Sequence, residues 1–149
     1  GNMSENIRQF DELVAKIFEK LYSEFPKQVV LNPSELMDYE DDGSYNEVGE
    51  FISPLNKDDD EFLSYTISWL YESGYLIGKL GGSWNSRVTL SLQGLQLLKS
   101  VPTSVESNES LGEQLKAALK TGSREYAANL VKDALNAHNI MNLLSGAFN

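Results

Sequence analysis

The stretch GKLGGSWNSRVTLSLQGLQLL, residues 78 to 98, decides the fold. Val88, Leu90 and Leu92 alternate with Thr89 and Ser91, the period of a strand with one buried face. Leu92, Leu95 and Leu98 then change to helical spacing. Upstream, YLIGKL (75–80) supplies a second apolar run, and GGSWNS between the two carries turn-forming glycines. The spacing predicts a β-hairpin passing directly into a helix.

Working outward, Ile7, Phe10, Val14, Ile17, Leu21 and Phe25 predict a first helix of five turns with one apolar stripe, stopped by Pro26. KQVVLN (27–32) reads as a short strand. Asn32, Pro33 and Glu35 form a helix-start signal: a side-chain cap, a residue preset for the first turn, and an acid in the reciprocal capping position. The second helix is short and turns Leu36 and Met37 inward. DYEDDGSYNEVGE (38–50) reads as an acidic loop. A third helix is expected from Asp58, capped by that residue with Glu61, turning Leu63, Ile67 and Leu70 inward and ending at Gly74. VPTSVESNES (101–110) reads as a linker. Beyond it, Ser110 and Glu113 open a helix with a Leu111, Leu115, Leu119 seam ended by Gly122. Ser123 opens another, carrying Ala127, Leu130, Val131, Ala134 and Leu135 on one side, and an apolar tail occupies 139–149.

The expected fold is mainly α with a small β-hairpin, an α+β arrangement. Residues 1–4 are a tag remnant and N-terminal tail, 5–100 the main domain, 101–110 the linker and 111–149 a C-terminal helical hairpin. Small seam residues such as Ala118, Ala127 and Ala134 permit close helix approach, so this pair either folds back on the main domain or meets a second chain, and a homodimer through these helices is expected.

Charge bears on the choice of partner. The 149 residues carry a net −10, and residues 1–100 hold 8 basic and 17 acidic residues, a net −9. Affinity for a polyanion comes from neutralising phosphates, so nucleic-acid binding must rest on a local basic patch. The lack of cysteine excludes disulfides, thiolate metal sites and cysteine nucleophiles. No apolar run suggests a membrane span and no secretion signal opens the chain, so a cytoplasmic location without membrane contact is expected.

The order helix, strand, helix, helix, hairpin, helix resembles the winged helix-turn-helix superfamily over residues 5–100. YTISWLYESGYLIG (65–78) and VTLSLQGLQLL (88–98) carry the likeness, which extends to bacterial regulators but to no specific family within them. The resemblance implies a winged-helix transcriptional regulator whose third helix enters the major groove of double-stranded DNA and whose wing touches the backbone. Ser64, Tyr65 and Ser68 on the third helix, with Lys79, Trp84 and Arg87 on the wing, are then the candidate DNA- or partner-binding residues. The third-helix stripe also holds Glu61 and Glu72 and lacks any Arg or Lys, which disfavours guanine contacts. DNA binding is accordingly expected to be weak or dimer-dependent. The alternative is a protein–protein contact module that binds no DNA.

Nothing points to catalysis or to a cofactor. The single histidine, His138, is expected between helical segments with no nucleophile or ligand spacing around it. Asp38, Glu40, Asp42 and Gly43 match the front half of a calcium loop, but the twelfth position is Gly49 where a bidentate acid is needed, so no metal is expected.

Overall fold

The computed structural model describes residues 3–102 and 107–148, with side chains for 5–102 and 107–137. The elements in chain order are α1 (Met3–Glu24), β1 (Val29–Val30), α2 (Pro33–Leu36), β2 (Ser44–Tyr45), β3 (Phe51–Ile52), α3 (Lys57–Glu72), β4 (Leu76–Lys79), α4 (Gly82–Asn85), β5 (Arg87–Leu90), α5 (Leu92–Lys99), α6 (Leu111–Lys120) and α7 (Arg124–Phe148). The protein is mainly helical with small antiparallel sheets, an α+β arrangement.

The expected hairpin is present. Leu76 pairs with Leu90, Ile77 with Thr89, Gly78 with Val88 and Lys79 with Arg87. Gly78 makes this pairing close: at φ +132°, a Cβ there would lie 2.2 Å from the Arg87 carbonyl oxygen. The strand foreseen at 27–32 joins the other side, Val29 opposite Val88, so β5 lies central in the order β1-β5-β4. Thr89, expected to face solvent, is buried, and its Oγ1 has no hydrogen-bond partner among the described residues. Ser91 caps α5, accepting from the Gly94 N–H at 3.0 Å. Gly94 lets α5 approach the preceding turn, where a Cβ would lie 2.3 Å from the Tyr75 carbonyl oxygen. Leu92 departs from expectation: it starts α5 and points to solvent, 72 % exposed.

The segment between hairpin arms, expected to be a plain turn, contains the single helical turn α4. The cap of α3 also differs from expectation. Asn56, not Asp58, precedes the helix, and its side chain accepts from the Asp59 N–H at 2.8 Å. Asn32 caps α2 as foreseen, accepting from the N–H groups of Ser34 and Glu35. The acidic loop is more structured than its composition implies, because Ser44–Tyr45 pair with Phe51–Ile52 in a second small hairpin.

Helix α1 is the hub. Val14, Ile17 and Leu21 are buried as predicted, but so are Leu13, Ala15 and Phe18, while Ile7 and Phe25 at the ends of the predicted stripe are exposed. A one-sided stripe suits a surface helix, whereas this one is covered on several sides. The additional cover comes from the C-terminal pair. Leu111, Leu115, Ala118, Ala127, Leu130 and Val131 are buried in the same apolar cluster as Val14 and Phe18. The narrow seam thus faces α1 of its own chain. Helix α7 is also continuous from Arg124 to Phe148, so its backbone passes through His138 and the apolar tail where a break was expected; the His138 side chain lies outside those described. Of the expected linker, residues 103–106 lie outside the described residues. No helix among the described residues is long and apolar enough to cross a membrane.

Candidate functional site: the hairpin end and the outer face of α3

The register of β4 and β5 brings two of the six candidate residues together. Lys79 and Arg87 are directly opposite, hence on the same face of the ladder, and both are exposed. Neither enters an ion pair among the described residues. Like charges placed opposite one another in a sheet repel, and a bound anion would remove that repulsion.

Trp84 does not join them. Its indole N–H donates to Ser53 Oγ at 2.9 Å, and its ring meets Phe51 edge-on with centroids 4.7 Å apart. The tip is held from a second direction by the Ser83 hydroxyl, which donates to the Asp60 carboxylate at the start of α3. Helical turn α4 thereby bends the hairpin tip onto α3 and β3. The N–H of Trp84 is thus satisfied within the chain, and its ring is half-buried against Phe51.

On α3, the pattern of one buried face and one outer face holds. Leu63, Ile67 and Leu70 are buried, Tyr65 is 71 % exposed, and Ser64 and Ser68 are half-buried beside it. Glu61, Glu72 and Tyr71 are exposed on the same helix. The surface therefore offers hydroxyl donors and acceptors among carboxylates, chemistry suited to hydrogen bonding but not to neutralising phosphate.

Two features escaped the sequence reading. Asp38 joins three elements: its carboxylate accepts from Arg124 of α7 at 2.6 and 2.7 Å and from Lys16 of α1 at 3.1 Å, and Lys16 also donates to the Leu36 carbonyl. The Arg124 hydrogen bonds hold the Asp38 carboxyl below the usual carboxylate range, and Lys16 adds to the effect. Its backbone is left-handed, φ +63°, a conformation aspartate tolerates better than most side chains. The residue read as the first position of a calcium loop is thus occupied by two cations of its own chain. Among the described residues no group of acids or histidines is arranged to hold a metal.

The second is Asp11, in the middle of the buried surface of α1. It is 7 % exposed and borders a cleft together with Phe10, Trp69 and Tyr75. Burial raises its pKa, opposed by the positive charge of Lys132. The available signal was a lone acid at the apolar period, four residues after Ile7 and three before Val14.

Comparison with family models, with curated proteins and with solved structures finds no match in any of the three.

Proposed function

We propose that this chain is a winged-helix protein of transcriptional regulation that binds the backbone of double-stranded DNA through its hairpin. The element order α1-β1-α2-α3-β4-β5-α5, with β5 central, supports the fold assignment. The observation carrying the function is the exposed, unpaired Lys79–Arg87 couple, a local cationic spot on an otherwise acidic molecule. Ser64, Tyr65 and Ser68 supply hydrogen bonds next to the duplex, while Glu61 and Glu72 keep α3 from deep insertion. Affinity per chain is low because few phosphates are neutralised.

A homodimer would raise that affinity by engaging two sites at once. Since the α6 seam and Ala127, Leu130 and Val131 of α7 are covered by α1, a second copy would meet α7 on another face. Sedimentation at micromolar concentration should give a species heavier than 16.6 kDa.

Fluorescence anisotropy with a labelled duplex tests the main reading. Affinity should fall steeply as salt rises, and Arg87→Ala should reduce the slope of log affinity against log salt by about one unit. The absence of duplex binding at low salt would favour the second reading, a protein-contact module. Its specific support is the small hairpin β2–β3, where Tyr45 and Val48, within the acidic 38–50 segment, and Ile52 just after it are exposed.

A further inference from the structure

The cleft bordered by Asp11 has the chemistry of a ligand site. It lies between the first half of α1, the end of α3, the turn into β4, α5 and α7, and encloses about 470 Å³. That volume is within the range of small-molecule sites. Three aromatic rings form its wall. Phe10 meets Trp69 edge-on, centroids 5.2 Å apart and planes at 88°, and Trp69 lies nearly parallel to Tyr75 at 6.4 Å and 23°. Trp69 is 45 % exposed, so part of the wall is reachable from solvent.

The carboxylate of Asp11 is the unusual element. Asp11 as a residue is 7 % exposed, and no hydrogen bond or ion pair to its carboxylate is formed among the described residues. Lys132, which also lines the cleft, acts on it through charge attraction and not through a hydrogen bond or ion pair. Partial burial disfavours the ionised form of this carboxylate, and a cation brought against it would favour that form.

We propose that this cleft binds an organic cation, an alkylated ammonium carrying an apolar or aromatic substituent. The cation would sit against Asp11 while the Trp69, Phe10 and Tyr75 rings receive its alkyl groups through their negative faces. Ile7 and Leu135 provide apolar cover for the substituent. An anionic ligand would gain from Lys132 but would have to approach the buried carboxylate. A neutral apolar ligand would leave Asp11 unpaired. The site is independent of the DNA reading, since none of its residues belongs to the hairpin couple or to the outer face of α3.

The test uses Trp69 as reporter. The chain has two tryptophans, so a Trp84→Phe background leaves Trp69 alone. Titration with benzyltrimethylammonium at neutral pH should quench or shift its emission saturably. The neutral 3,3-dimethylbutan-1-ol and the anionic benzoate should have at least about tenfold weaker effect. Asp11→Asn should weaken the cation about tenfold without changing the alcohol, whereas Lys132→Met, at an exposed position, should strengthen the cation by removing a competing charge. Lys132→Met also serves if Asp11→Asn disturbs folding. Equal affinity for cation and alcohol, preference for benzoate, absence of a saturable response, or weaker cation binding in Lys132→Met would each overturn the assignment.

Discussion

The hairpin end and the C-terminal helix pair exchange the roles that their sequences suggest. The hairpin, with a tryptophan near its tip, looks like the freely projecting part, yet Trp84 and Ser83 tie that tip to β3 and to the start of α3. The α6–α7 pair, set apart by a polar stretch, looks like an appendage, yet it covers α1 and shares its apolar cluster. Local pattern reports whether a segment has an apolar face. It does not report which surface that face meets, because the partner is supplied by a distant part of the chain.

The sharpest way to break this comparison is to cut into the C-terminal seam. Leu115 is fully buried, so Leu115→Ala should cost about 2–5 kcal/mol. The whole protein should lose that stability in one transition seen alike by far-ultraviolet circular dichroism and by Trp69 and Trp84 fluorescence. An independent appendage would instead melt separately and leave the tryptophan transition in place.

A smaller loss is expected on the hairpin side. Gly94→Ala puts a Cβ within 2.3 Å of the Tyr75 carbonyl oxygen, so α5 must shift away from the turn into β4. The expected cost is about 1–3 kcal/mol, measurable by urea denaturation. If the stability is unchanged, the closeness of α5 to the hairpin has no energetic meaning.

The smallest effect concerns the tie between the start of α7 and the segment after α2. The depressed pKa of Asp38 contributes stability that is fully present above the unfolded value of about 3.9 and lost as pH falls through the folded value. Its side chain is half exposed, so the contribution is modest and screened by salt. Arg124→Gln should lower the melting temperature slightly at neutral pH and make it less sensitive to acid below about pH 4. An acid limb identical to that of the parent protein would remove Asp38 from the account.

Much of the fold was legible because its signals are local. Asn32 ahead of Pro33, Ser110 ahead of Glu113, and the alternation through Val88 and Leu90 each depend on neighbours within a few residues. The hairpin β2–β3 was not legible, since two-residue strands inside an acidic segment are too short to show alternation. Nor was the cap at Asn56, because Asp58 and Glu61 offered a competing start signal two residues later. At the candidate site, the exposure of Tyr65 and the approach of Lys79 to Arg87 followed from helical and strand periods. The tie between Trp84 and Ser53 spans 31 residues of sequence, and no local period encodes it.

The central position of α1 has a consequence for how the protein is made. Helix α1 carries Leu13, Val14, Ile17 and Phe18, yet part of the cover for that cluster comes from residues 111–131, which are synthesised later. Arg124 and Glu12, paired across the finished molecule, are 112 positions apart. During synthesis, therefore, an oily helix must wait for partners that emerge after it, and chains halted near residue 100 should be held by chaperones or collect as aggregates.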